Sequence, residues 1–282
     1  MGHINAKIDS YATQNYVVNK EFFGGNLLPG TNKPTSDDGA FETVADELGI
    51  VGIRFPAGKS DRLYEDGLLK SDGSLPDMLV EYMDWAVDND HDITFTTPTN
   101  PAYTNSNEFP KFINELLEEY GEHITCFEIG NEYYGAMDEV NYGKIADEQI
   151  QAIADAVGGT DYDPDISIQM GQPFGESEYA GTFNWRAANQ DIIDQLSNDS
   201  KSQIDGVIEH YYYNKTEENF SDLLGPNGEV DDLVNFINKD VEIWEAEIGV
   251  PLKLYVTEWN VRSTNYDELG LKAASTMIEQ AE

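Results

Sequence analysis

The stretch Ile124-Thr125-Cys126-Phe127-Glu128-Ile129-Gly130-Asn131-Glu132-Tyr133-Tyr134 decides the fold. It opens as a short run rich in β-branched and aromatic residues, the composition of a strand buried on both faces, and it breaks at a glycine into a polar and aromatic cluster. The same grammar recurs along the chain, with runs at 22–28, 50–55, 93–97, 124–129, 166–170, 207–213 and 252–257. After the first run the repeat is roughly 40 residues, the length of one strand-helix unit with its loops. Amphipathic stretches fill the gaps at 41–48, 76–87, 109–120, 142–157, 185–196, 233–248 and 269–281, several of them stopped by glycine. Strict alternation of strand and helix predicts a parallel sheet with helices outside it, and units this numerous predict an α/β fold of the (β/α)8 TIM-barrel type. Seven strands are legible and an eighth is not, so the reading is one barrel domain over 1–282, cut short at its C-terminus, with an N-terminal extension over 1–18.

Composition limits the partners. Fifty-four acidic residues against sixteen basic ones give a net charge of −38. Nucleic acid and anionic membrane both demand a basic patch and are excluded as partners. A charge surplus of this size repels itself unless salt screens it, which points to a saline medium. No apolar run reaches the roughly 18 residues of a membrane span, and no secretory leader is visible at the N-terminus. Localisation is therefore left open, extracellular or periplasmic if the gene carries a leader and cytoplasmic otherwise. The single cysteine, Cys126, forms no internal disulfide and reads as a small buried side chain.

Active sites of parallel barrels lie at the C-terminal ends of the strands. The fourth run delivers Asn131 and Glu132 to that rim, and the seventh delivers Glu258 followed by Trp259. Two carboxylates facing each other across a mouth are what glycosidic cleavage needs, one giving a proton to the leaving oxygen while the other attacks the anomeric carbon or activates water. His210 and Tyr212 lie two apart on the sixth run and so share a face. A tyrosine hydroxyl and an arginine beside Glu258 would hold its charge, whereas Glu132 must stay protonated near neutral pH through desolvation and a neighbouring carboxylate. Aromatic residues crowd the same rim, namely Tyr103, Tyr133, Tyr134, Phe174, Tyr211, Tyr213 and Trp259. Such rings line sugar pockets, although any one of them could serve packing alone.

These segments resemble the clan A glycoside hydrolases. Asn131-Glu132 and Glu258 are similar to that clan's acid/base and nucleophile positions. Arg54-Phe55-Pro56-Ala57-Gly58 resembles its arginine segment beside the nucleophile, reading Pro-Ala-Gly where the arabinofuranosidase and xylosidase branches usually read Pro-Gly-Gly. His210-Tyr211-Tyr212 resembles its His-x-Tyr segment, and Phe23-Gly24-Gly25-Asn26 its first-strand turn. The likeness is closest to those two branches and runs from Glu21 onward. It implies a retaining hydrolase of O-glycosidic bonds in plant- or algal-type saccharides, with Glu132 as acid/base and Glu258 as nucleophile. Asn26, Arg54, Asn131, Tyr133, His210, Tyr212 and Trp259 then bind substrate, and neither a cofactor nor a metal is implied.

Competing readings are a non-catalytic carbohydrate-binding barrel fragment and a metal-dependent barrel enzyme. The latter needs clustered acids and histidines at the strand ends, where this chain offers too few. Asp161-Tyr162-Asp163-Pro164-Asp165 opens like a calcium loop but lacks its glycine and closing glutamate, so it reads as a solvated turn. Glu128 and Glu209 fall inside strands and read as paired structural groups.

Overall fold

A computed structural model describes residues 24–32, 34, 39–58, 63–64, 67–100, 107–182, 184–213 and 229–261. The extension over 1–18, the helix expected over 269–281, the position of any eighth strand after it, and Tyr103 all lie outside these residues. Seven strands form one sheet in chain order, every neighbouring pair parallel. They are β1 (Gly24–Asn26), β2 (Gly52–Phe55), β3 (Asp92–Thr96), β4 (Ile124–Ile129), β5 (Asp165–Gln169), β6 (Gly206–Tyr213) and β7 (Lys253–Val261). Helices α1 (Ala40–Leu48), α2 (Asp77–Asp88), α3 (Phe109–Tyr120), α4 (Glu139–Val157), α5 (Trp185–Ile193), α6 (Asn198–Lys201) and α7 (Glu229–Ile248) connect them.

The sheet is curled. Arg54 of β2 reaches Glu258 of β7 at 3.3 Å although five strand pairings separate the two in sheet order. Only a sheet rolled toward closure brings its two ends that near, so the seven strands form the (β/α)8-type barrel predicted from their spacing.

Alternation along the strands sorts the two faces of the wall. Phe55, Phe95 and Phe127 stack side by side, with ring centroids 6.3 and 6.2 Å apart, and meet Tyr82 of α2 and Phe112 of α3. This is the layer between sheet and helices, where each fully buried aromatic or aliphatic side chain contributes about 1.5–3 kcal/mol. The intervening residues therefore face the barrel axis. They are small or polar: Arg54, Thr96, Cys126, Glu128 and Ser167 are all buried, and Cys126 Sγ lies 3.1 Å from Ser167 Oγ. The axis is thus lined with hydrogen-bonding groups, and that lining positions the site.

Several boundaries differ from the sequence reading, three of them for local reasons visible in the structure. Helix α4 starts three residues earlier, because Asp138 caps it by accepting from the Asn141 backbone N–H at 2.8 Å. The helix expected over 185–196 ends at Ile193, and Ser197 caps the separate short α6. Strand β7 runs on to Val261, so Glu258 and Trp259 sit within the strand and not after it.

Gly143 of α4 marks a close approach to the end of α5. A Cβ there would stand 2.8 Å from the Ile192 carbonyl oxygen and 2.9 Å from Gln195 Cβ. Helix propensity alone favours Gly143→Ala by ~1 kcal/mol, yet the clash is expected to reverse the sign and destabilise by about 1–3 kcal/mol. Denaturant unfolding of the variant checks this, and a gain in stability would contradict the close approach.

Candidate active site

The site begins below the barrel mouth with an ion pair. Arg54 is 4% exposed and Glu128 not at all. The guanidinium grips the carboxylate through both edges, Nε to Oε2 at 2.7 Å and Nη2 to Oε1 at 2.6 Å. Burial alone would raise the Glu128 pKa, but the charge and hydrogen bonds of Arg54 prevail and hold it at about 2. The remaining donors of Arg54 point up toward the mouth. Nη2 donates to Asn131 Oδ1 at 2.6 Å, and Nη1 to Glu258 Oε2 at 3.3 Å and Asn26 Oδ1 at 3.5 Å.

Strand β4 ends in a turn that aims Glu132. Gly130 has φ +78, and a Cβ there would meet Thr99 at 2.6 Å, so glycine is required. Glu132 itself holds left-handed backbone, φ 45 and ψ 52, which costs a residue with a side chain about 1–2 kcal/mol. A 3-10 turn over Tyr133–Gly135 follows. Tyr134 hydrogen-bonds the Glu132 carboxylate. On β7 the Glu258 carboxylate takes a hydrogen bond from the Tyr212 hydroxyl in addition to that from Arg54.

His210 joins the two halves. Its Nδ1 lies 3.4 Å from Glu132 Oε1 and 3.8 Å from Glu258 Oε2, while Nε2 faces Thr257 Oγ1 at 3.1 Å and Glu128 Oε1 at 3.6 Å. The nearest oxygens of Glu132 and Glu258 are thus no farther apart than the two Nδ1 distances laid end to end. Burial pulls the His210 pKa down, but hydrogen bonds to Glu128 and Glu132 outweigh it and push the value up to about 9. These hydrogen bonds favour the charged ring, which is wedged among three carboxylates and lies 3.3 Å from Arg54.

The structure brings together Asn26, Arg54, Asn131, Glu132, His210, Tyr212 and Glu258, all singled out from sequence. It does not bring in Tyr133 or Trp259. Tyr133 is 1% exposed, stacks on Tyr142 at 4.3 Å, and accepts from the Gln172 backbone N–H at 2.9 Å. It belongs to the core, and the adjacent Tyr134 touches the carboxylate instead. Trp259 follows Glu258 within one strand, so it leaves by the opposite face and packs against the apolar core.

Glu132 also departs from expectation. Its pKa in the free site is lowered, first by the hydrogen bond from His210, which overrides partial burial, then by that from Tyr134. Glu128, read from sequence as a paired structural group inside a strand, is paired with Arg54, 74 residues away. Glu209, read the same way, is buried beside Gln172 Nε2 at 2.7 Å, and burial raises its pKa to about 8. Asp165 opens β5 and pairs with Lys253 at 2.6 Å, so that acidic turn ends in an ion pair.

Comparison with protein-family models and with curated proteins gives no match. Solved structures do match over most of the chain. A GH10 xylanase from Bispora sp. MEY-1 with xylobiose is 13% identical with a TM-score of 0.54, covering 90% of this chain and 76% of that one. Thermotoga maritima Cel5A in complex with mannotriose is 17% identical with a TM-score of 0.52, covering 93% and 88%. Cellulose synthase subunit Z from Clostridioides difficile is 15% identical with a TM-score of 0.53, covering 91% and 86%. At these identities the likeness is one of fold, and the fold is the (β/α)8 barrel.

The His210 environment gives a pH prediction. Its folded pKa lies above the unfolded value of about 6.5, so its contribution to stability is complete below that pH and lost as pH rises through about 9. An imidazole titration by NMR is expected to show His210 still charged at pH 8, and a midpoint at or below 6.5 would contradict the arrangement.

Proposed function

We propose that this chain is a retaining glycoside hydrolase acting on O-glycosidic bonds of a plant- or algal-type polysaccharide or oligosaccharide. The observation that carries the reading is the placement of Glu132 and Glu258 on one ring nitrogen of His210, at 3.4 and 3.8 Å, at the mouth of a parallel barrel. The two distances cap the spacing of the nearest carboxylate oxygens, and the retaining geometry of about 5–5.5 Å lies under that cap.

Their surroundings divide the roles. Glu258 is held by two donors, Tyr212 and Arg54, which fix its direction, as a nucleophile requires. Glu132 has a side chain 36% exposed, open to a leaving oxygen and to water, as a group that gives and takes a proton requires. In the first step a Glu258 oxygen bonds to the anomeric carbon, the glycosidic C–O bond breaks, and the Glu132 proton passes to the leaving oxygen. In the second step Glu132 takes a proton from water, the water oxygen bonds to the anomeric carbon, and Glu258 departs as carboxylate. The lowered pKa of Glu132 belongs to the open site, and a sugar seated over the mouth strips water from its carboxyl and raises it. Asn131 and Asn26, both tied to Arg54, offer amide groups to the hydroxyls of the sugar under attack.

The fold neighbours favour saccharide substrates, since their structures hold xylobiose and mannotriose. Resemblance to the arabinofuranosidase and xylosidase branches favours pentose units, so arabinosides and xylosides head the panel to test.

Glu258→Ala is expected to abolish turnover of nitrophenyl glycosides, and azide to restore it with formation of an azido-sugar of inverted anomer. Glu132→Ala with azide is expected to give the retained anomer, from substrates whose leaving group needs no proton. Product anomers read by NMR check both, and the same anomer from both variants would overturn the assignment of roles.

A further inference from the structure

We propose that Glu139, buried at the start of α4, is a positioning residue that holds the Glu132 turn in the shape from which Glu132 delivers its proton. The inference rests on the glycosidase reading and adds to it a residue that never touches substrate.

Glu139 is fully buried, and its carboxylate accepts from donors outside its own helix. Oε1 accepts from the Ser177 hydroxyl and, at 3.4 Å, from the Tyr133 hydroxyl, while Oε2 accepts from the Glu178 backbone N–H at 3.2 Å. Neither packing nor capping accounts for an acid here. Asp138 already caps α4, and a buried position with no polar task holds an apolar side chain at less cost. The donors come from the turn after β4 and from the loop after β5, so the carboxylate joins that turn, that loop and α4 at one point. A place in the first turn of a helix suits a carboxylate, because the free N–H groups there favour negative charge.

Glu132 needs such a joint. Its left-handed backbone, φ 45, persists only where the surroundings impose it. Tyr133, the next residue, is fixed from both ends. Its backbone N–H donates to Gln169 Oε1 at 3.4 Å, its ring stacks on Tyr142, and its hydroxyl accepts from the Gln172 N–H at 2.9 Å while donating to Glu139. Tyr134, which bonds the Glu132 carboxylate, is held through the β5 loop. The Glu176 N–H donates to the Tyr134 carbonyl at 2.7 Å, and a Cβ on Gly175 would stand 2.2 Å from that oxygen, so loop and turn touch through bare backbone. Ser177 and Glu178 follow at once in the loop, and Glu139 holds both. The two residues after Glu132 thus trace to one buried carboxylate.

Glu258 is held separately. Its donors, Arg54 and Tyr212, lie on β2 and β6, and the three donors to Glu139 belong to neither strand. Loss of Glu139 therefore misplaces the proton donor and leaves the attacking group where it is, a split that general loosening of the fold would not produce.

Phenyl and dinitrophenyl glycosides of one sugar read that split. A phenolate leaves far faster with a proton's help, a dinitrophenolate needs none, and kcat/KM reports the first step alone. Glu139→Ala is expected to lower kcat/KM on the phenyl glycoside by about 10–100-fold, the scale of a misplacement of roughly 1 Å, and to leave the dinitrophenyl value within about twofold. Tyr133→Phe keeps the ring and removes only the link, so it serves should Glu139→Ala fold poorly, and the same split is expected at about 2–10-fold, one hydrogen bond's worth. In both variants the NMR midpoint of His210, raised in part by Glu132, is expected to fall by roughly one pH unit. An equal fall on both glycosides, no fall on either, or an unmoved midpoint would each overturn the positioning role while the glycosidase reading stands. Silence of the wild type on every glycoside would sink the glycosidase reading, and the His210 midpoint would then decide alone whether Glu139 places Glu132.

Discussion

A guanidinium sealed inside a barrel needs an acceptor for each of its five N–H groups, and the way Arg54 meets that need fixes most of the site. Two donors go to Glu128, and the others to Asn131, Glu258 and Asn26. Those five acceptors come from β4, the loop after it, β7 and β1, so one side chain on β2 ties both ends of the sheet to its middle. Bidentate pairing with Glu128 makes burial of the charge tolerable, and removal of either partner would strand an uncompensated ion in the wall. Stability and site geometry share this arginine, and a change that loosens it moves Glu258 as well.

Charge balance extends the same constraint. Arg54 and a protonated His210 face Glu128, Glu132 and Glu258, leaving one negative charge in excess when all are ionised. A proton taken up at Glu132 from outside this cluster closes that excess, and His210 Nδ1 is the ring atom that faces it. The polar lining of the barrel axis carries these charges, while the phenylalanine layer outside holds the wall together. The two jobs are separated by the alternation of each strand, so chemistry on one face makes few demands on packing at the other.

Much of this is legible in the sequence because the barrel's physics is local. Buried strands read as short runs rich in β-branched and aromatic residues even where their axis-facing positions are polar, and seven such runs at a steady spacing pointed to the parallel architecture. Glu132 stood out since it follows Gly130 at a run's end, and Tyr212 since it shares a face with His210. The parts that escaped depend on distance or on a boundary. Glu128 was legible as a paired group inside a strand, but its partner Arg54 was not, because the two are 74 residues apart. Trp259 looked like a rim residue because β7 extends to Val261, and alternation inside that longer strand sends its ring outward. Tyr133 and Tyr134 are adjacent identical residues, and only the 3-10 turn decides which of them enters the core. The Glu132 pKa reflects a hydrogen bond from His210, a contact between strands that no local pattern announces.

The central claim is that Glu258 is a carboxylate held in place to form a bond to sugar. The most direct measurement is covalent trapping with 2-deoxy-2-fluoro-glycosyl fluorides of the xylo, arabino, gluco and manno series, read by intact mass and by peptide mapping. The account predicts one added glycosyl group per chain, carried on the peptide containing Glu258, and its loss from Glu258→Gln. A label on any other carboxylate, or hydrolysis of all four fluorides with inversion and no adduct, would contradict it.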